Sequence, residues 1–527
     1  RSTLFPYTTL FRSLELIYPR SFRDLNGDGV GDLNGITLKM DYLSDLGVDA
    51  IWISPFFTSP MTDLGYDVAD YQNVDPVFGG LDDFRMLLDE AHARDIKVMI
   101  DLVPCHTSDQ HPWFVESRSG RDNPKRDWYV WRDGNDGHEP NNWVSLAGGK
   151  SWTFDADSGQ YYLHSFLPTQ PDLNWDNPEV RLAIKDVVRF WFDMGVDGMR
   201  VDAIWGISKD PELRDDTVNY DFHGDSNSYG AYIHDHCKHG PHFQEYLHEL
   251  ASVCDEYDDK QMVFEFYPDE RLGDIWRQYH DVIHVHPKAT AFFMEHRQND
   301  WHGEHTGWNI MNYLEATGEN TPFFCLGNHD QPRVTSRLGL PRSRALQFLN
   351  LLCPGVSVMY YGDEIGMEDV DLTQHDAQDG FHHSLQDDRN RARTPMQWNS
   401  SRYAGFANVL PWLPVHPNRK QVNVAKETKD PGSLLWLCRK LLELRHELPI
   451  LRHGTMEKLD TGNGFVLGFR RQLDGQQLQI YINFADSAQT VWLPETGRVI
   501  IGTNPDIHVD GDVLQLPGYG GVLIDIK

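Results

Sequence analysis

Acidic side chains recur in this chain where short apolar runs end. Asp101 closes one run, with Pro104 and His106 just beyond; Arg200-Val-Asp202 closes a second; Glu265 lies inside a third; Asn328-His329-Asp330 follows a fourth. If these runs are β-strands, alternate residues share a face, so Arg200 and Asp202 point the same way and the guanidinium can hold that carboxylate ionised. A positioned, ionised aspartate is a candidate nucleophile. Glu265 sits in Met262-Val-Phe-Glu-Phe-Tyr267, an apolar, aromatic setting expected to keep it protonated at neutral pH, as a general acid requires. Two carboxyl groups in opposed protonation states, beside a segment rich in Trp and Tyr on which sugar rings can stack, fit glycoside chemistry. A separate stretch, Asp24-Leu-Asn-Gly-Asp-Gly-Val-Gly-Asp32, repeats oxygen side chains around glycines. That is the donor set of a hard cation: Asp24, Asn26, Asp28 and Asp32 offer side chains and Val30 its carbonyl, so a structural Ca²⁺ is expected. The loop differs from an EF-hand because Gly35 stands where a glutamate would complete it.

The elements that must position these groups alternate strand-like and helix-like patterns from about residue 15. Eight strand-like runs stand at 15–19, 48–54, 96–102, 196–202, 261–267, 289–295, 321–326 and 356–361. The intervening helical segments include 81–95, with Phe84, Leu87, Leu88 and Ala91 on one stripe, and 178–195, which opens on Asn177-Pro178 and closes on a glycine. This is the pattern of an α/β fold with parallel strands, and eight units suit a TIM (β/α)8 barrel. The expected organisation is a catalytic barrel over 14–103 and 173–451, an inserted subdomain over 104–172 after the third strand, and a C-terminal β-sandwich over 452–527. Residues 1–13, RSTLFPYTTLFRS, resemble a translated sequencing adapter, so the native start is expected to be missing and this segment to lie outside the fold.

The composition narrows the partners. Of the 527 residues, Lys and Arg make 47 and Asp and Glu 79, for a net charge of −32, so neither nucleic acid nor an anionic membrane is an expected partner. Six scattered cysteines have no CxxC pair and no spacing that reads as a zinc site, and are expected to be reduced and mostly buried. No apolar run is long enough to span a bilayer, which points to a cytoplasmic protein.

Five short motifs together resemble those of the α-amylase superfamily of retaining α-glycosidases, in its α-glucosidase and oligo-1,6-glucosidase branch. They are Asp101-Leu-Val-Pro-Cys-His106, Gln170-Pro-Asp-Leu-Asn174, Gly198-Met-Arg-Val-Asp202, Phe264-Glu265-Phe266 and Leu326-Gly-Asn-His-Asp330. The resemblance implies Asp202 as nucleophile, Glu265 as acid and base, and Asp330 as stabiliser of the oxocarbenium-like transition state. It implies that Asp63, Tyr66, His106, Phe166, Arg200, His329 and Arg393 bind the terminal glucose, and that the Asp24–Asp32 loop is the branch's cation site. The implied activity is exo-hydrolysis of short oligosaccharides through a covalent glucosyl-enzyme, in a monomer or homodimer with no organic cofactor. Ala203, where 1,6-specific relatives tend to carry Val, favours α-1,4 over α-1,6 bonds. Transfer to a sugar, as in a trehalose synthase or sucrose isomerase, is the alternative. A silent interaction protein is a remote one, since all three acids are present.

Overall fold

A computed structural model of the chain describes residues 11–295, 301–374, 376, 379–381 and 388–526. Eight strands close a barrel: β1 (Ser13–Ile17), β2 (Ala50–Ile53), β3 (Lys97–Leu102), β4 (Gly198–Val201), β5 (Gln261–Phe264), β6 (Ala289–Phe293), β7 (Phe323–Cys325) and β8 (Val356–Tyr360). Each pairs in parallel with its sequence neighbours, and β8 returns to β1. All eight expected runs are strands of this barrel. The strands end one to three residues sooner than most of those runs, so Asp202, Glu265 and Asp330 stand just past strand ends, where barrel sites are built.

The helices follow from their sequence signals. Helix α1 (Leu81–His92) buries Phe84, Leu87, Leu88 and Ala91, the expected stripe. Helix α2 (Pro178–Met194) starts where the Asn177 side chain accepts the Glu179 N–H and stops at Gly195, whose φ of 115° closes a left-handed cap. Between β3 and α2 lies a small antiparallel sheet of Trp131–Arg132, Gln160–Leu163 and Trp152–Asp155. After the barrel, a five-stranded and a three-stranded antiparallel sheet share an apolar layer in which Tyr481 and Ile524 of one meet Leu514 and Leu516 of the other. This is the expected all-β C-terminal region.

The structure departs from expectation at its first described residues. Phe11 is fully buried, meets the Phe323 ring at 6.4 Å, and occupies space beside Gly198 that any side chain there would fill. Ser13 opens β1 and donates through Oγ to Asp49, and the Arg12 carbonyl accepts from Arg445. Residues 11–13 therefore complete the barrel: any sequence offering an apolar side chain and extended backbone can pair with β2 and β8. Residues 1–10 lie outside the described residues. Among the described residues no helix is long and apolar enough to cross a membrane, and all six cysteines are buried.

Candidate active site

The strand register brings the chemistry together. Asp101 on β3 pairs with Arg200 on β4, and both side chains are fully buried. Arg200 Nη1 donates to Asp101 Oδ1 at 2.9 Å and to Asp202 Oδ1 at 2.7 Å, and Nη2 lies 2.7 Å from Glu265 Oε1. One guanidinium thus holds three carboxyl groups. Asp101 also accepts from Trp52 Nε1 and the Tyr66 hydroxyl, so it anchors the arginine from behind, and burial pushes its carboxyl up to about 6.

Two further contacts aim Glu265. The Tyr267 hydroxyl donates to Oε1 at 3.0 Å and the Ala203 N–H to Oε2 at 3.2 Å. Ala203 can present that N–H because it turns sharply after Asp202, at φ 45°, in the left-handed region that residues with a side chain rarely enter.

The opposed environments expected for Asp202 and Glu265 do not arise as read. Strand alternation sends Phe264 and Phe266 into the core, so Glu265 has the arginine, the tyrosine hydroxyl and a backbone N–H around it instead of rings. Asp202 is not simply held ionised by Arg200. Burial pushes its carboxyl well up, and Arg200 opposes this while Glu265, Asp101 and Asp330 add to it. The two acids share one cation.

Asp330 has the opposite character. Burial disfavours its charge, but His329, Arg389, Arg393 and Arg200 outweigh it and hold the carboxyl far below the usual range. Arg389 and Arg393 each donate to Oδ1 at 2.9 Å. His329 is itself pushed down to about 3 by burial, so at neutral pH the arginines supply the charge and the histidine a 3.2 Å contact. Tyr66 stacks on His329 and meets its Nε2 at 2.6 Å, joining this cluster to the Asp101 cluster.

These groups open into a cavity of about 820 Å³ lined by Asp63, Tyr66, His106, Phe166, Asp202, Glu265, Asp330 and Arg389. Asp63 closes one side, accepting from Gln170 and from Arg389, and burial pushes its carboxyl up to about 6. His106, pushed down to about 4 by burial, packs its ring against Phe166 at 4.9 Å. Phe166 in turn meets Trp205, giving an aromatic wall.

Three residues expected to bind the sugar stand one remove from the cavity. Arg200, His329 and Arg393 are not among the residues lining the cavity; they are fully buried behind Asp202 and Asp330 and position those carboxylates. Arg389 was missed by sequence reasoning. It donates to Asp63, Asp330 and both oxygens of Asp379, bridging two cavity-lining acids. Its only signal was its place in the arginine-rich stretch that ends at Arg393.

The Asp24–Asp32 loop is held by its own hydrogen bonds. Asp24 accepts from the N–H groups of Gly27 and Gly29, Asp28 from Val30, and Asp32 from Leu25, Asn26 and Gly35, while the Asn26 side chain accepts from Asp28. The donor types fit a hard cation. As they stand, the three aspartates do not bring their oxygens within 4.8 Å of one another as a set.

The alpha amylase catalytic-domain family matches residues 16–454. The chain belongs to the alpha-amylase family. It is accordingly a glycoside hydrolase by family, on the barrel that family uses. The oligo-1,6-glucosidase of Parageobacillus thermoglucosidasius is 37% identical over 521 residues, covering 91% of each chain. An alpha-glucosidase of Culex pipiens is 36% identical over 548 residues, covering 96% of this chain and 89% of its own. Among solved structures, an alpha-glucosyl transfer enzyme superposes with a TM-score of 0.92 at 37% identity, over 99% of this chain and all of the other. The trehalulose synthase of Pseudomonas mesoacidophila MX-45 superposes with a TM-score of 0.88 at 34% identity, over 98% and 99%.

Proposed function

We propose that this alpha-amylase-family protein is a retaining, exo-acting α-glucosidase of short oligosaccharides. The observation that carries the reading is the placing of Asp202 and Glu265 on one buried guanidinium, with both carboxyls open to the same cavity. In this mechanism Asp202 attacks the anomeric carbon as the glycosidic bond breaks, and Glu265 gives its proton to the departing oxygen. The same glutamate then takes a proton from water, which displaces Asp202 and restores the sugar's configuration. Asp330, kept ionised by two arginines, stabilises the positive charge that develops on the sugar ring. The sharing of Arg200 supports this exchange: a proton leaving either acid leaves a charge the same cation stabilises.

Asp63, Arg389 and Asp330 join into a wall at one side of the cavity, which favours a chain end over an internal bond. The cavity's size falls in the range of about 300–1,000 Å³ usual for small ligands. Ala203 lines it beside Asp202, and its small side chain favours α-1,4 over α-1,6 linkages. A panel of maltose, isomaltose, sucrose and trehalose, followed by NMR of the first-formed product, tests all parts. Maltose is expected to be the best substrate and α-glucose the first product; initial β-glucose would overturn retention. Glucosyl transfer is a second reading, supported by the transfer enzyme and the trehalulose synthase among the structural neighbours. Isomerised sucrose among the products would favour it.

We also propose a structural Ca²⁺ in the Asp24–Asp32 loop, held by the side chains of Asp24, Asn26, Asp28 and Asp32 and the Val30 carbonyl. Calcium is expected to raise the thermal midpoint of the wild type and not of Asp28→Ala; equal shifts would remove the ion from this loop.

A further inference from the structure

Behind one wall of the cavity, Asp216, His234 and Cys237 form the one cluster, among the described residues, of three His, Cys, Asp or Glu side chains whose ligand atoms all lie within 4.8 Å of one another. All three are buried. Cys237 Sγ lies 3.4 Å from His234 Nδ1, and Asp216 Oδ2 lies 3.4 Å from the same nitrogen. For comparison, a tetrahedral zinc with bonds of about 2.0–2.3 Å sets its nitrogen, oxygen and sulfur ligands about 3.3–3.6 Å apart.

The hydrogen bonding around the cluster turns its ligand atoms toward one another, and within it the Cys237 thiol meets His234 Nδ1. His234 Nε2 lies 2.7 Å from the Tyr229 carbonyl, which only accepts, so Nε2 carries the ring proton and Nδ1 presents its lone pair to the other two groups. Asp216 Oδ1 accepts the N–H groups of His236 and Cys237, which turns Oδ2 inward toward His234 and the Cys237 thiol. An imidazolium–carboxylate pair would close to about 2.7–2.9 Å, well inside the spacing seen. A Cys-His-Asp nucleophilic triad is also ruled out, since a triad uses opposite ring nitrogens for its two partners and here both face Nδ1. His234 holds this pose at φ 62°, a left-handed conformation that a specific constraint must stabilise.

We infer that Asp216, His234 and Cys237 bind a zinc ion. Thiolate and imidazole select a borderline or soft cation over calcium or magnesium. On binding, Cys237 releases its thiol proton to solvent, and Zn²⁺ with one thiolate and one carboxylate makes a buried centre of zero net charge. The Nε2–H bond to Tyr229 is the outer support that zinc-ligating histidines commonly have. The ion would support the cavity wall through three protein ligands: Tyr229 stacks on His234 with ring centres 3.7 Å apart, and Tyr229, Lys238 and His239 line the active-site cavity. The spacing of these ligands, 18 residues and then three, escapes any cysteine-pair pattern.

The test uses the full chain freed of metal by a chelator. Zinc titrated against a chromophoric competitor is expected to bind at one tight equivalent, at least 100-fold weaker in Cys237→Ser and in Asp216→Asn. Cobalt in its place is expected to give thiolate charge-transfer absorption that Cys237→Ser lacks, with added calcium leaving it unchanged. Circular dichroism shows whether each variant is folded, and the wild-type titration stands whatever the variants do. No tight zinc equivalent in the wild type, or the same affinity or cobalt absorption in folded Cys237→Ser, would overturn the site.

Discussion

Replacing Arg389 separates positioning of the site's acids from bulk stability. Its guanidinium makes four hydrogen bonds to three carboxylates, and two of these, to Asp63 and Asp330, end on acids that line the cavity. A hydrogen bond to a charged group is worth about 1.5–3 kcal/mol, so these two together hold about 3–6 kcal/mol of positioning. If that is expressed in the transition state, Arg389→Ala loses roughly 10²–10⁴-fold in kcat/KM. Removing the shared cation also leaves buried carboxylates uncompensated, which costs about 3–5 kcal/mol of stability. Asp63 responds most, because burial already pushes its carboxyl up to about 6 and Arg389 is the largest influence holding it down. A raised carboxyl contributes stability below its unfolded pKa, near 4, that is lost as pH rises through its folded value. The thermal midpoint of Arg389→Ala should therefore trail the wild type more at about pH 8 than at about pH 5. The assay is kcat/KM on an aryl α-glucoside together with thermal midpoints at both pH values. Arg389→Lys, whose ammonium cannot span three carboxylates, should fall between the two. A folded Arg389→Ala within about tenfold of wild-type kcat/KM would refute the reasoning.

Other outcomes follow from the same contacts. Ala203→Val is expected to shift preference from maltose toward isomaltose while costing about 1–3 kcal/mol, because a branched side chain must enter the left-handed region; an unchanged substrate ratio would clear Ala203 of a role in linkage choice. The acidic limb of kcat/KM should lie near pH 6, as Asp63 takes up a proton and its pairing with Arg389 weakens; a limb unmoved in Asp63→Asn would assign it to another group. Phe11→Ala should lower stability by about 3–5 kcal/mol, read as a fall in denaturant midpoint, since the ring is fully buried against Phe323. A wild-type midpoint would show that this residue adds nothing to the barrel.

The barrel was legible because its strands are mostly apolar and its helices carry clear stripes and caps, as at Phe84–Ala91 and Asn177–Gly195. The acids were legible because a barrel gathers its strand ends at one rim, so Asp202, Glu265 and Asp330 meet whatever their separation in sequence. What did not read through depends on tertiary approach. Arg389 reaches Asp63 across 326 residues from a loop, and no local pattern encodes that contact. Glu265 looked apolar because its flanking phenylalanines were counted as surroundings, although alternation turns them the other way. The tie from Arg200 to Glu265 was hidden because only the neighbour two residues away, Asp202, could be inferred from spacing.

The division of labour between Asp202 and Glu265 is tested most directly by trapping. Glu265→Gln, given an activated aryl α-glucoside whose leaving group needs no proton, should form the glucosyl-enzyme and then hydrolyse it slowly. After rapid quench and peptide mass spectrometry, one hexosyl unit is expected on the peptide carrying Asp202, at Asp202 itself. A hexosyl unit on any other side chain, or turnover with no covalent species at any time, would contradict it.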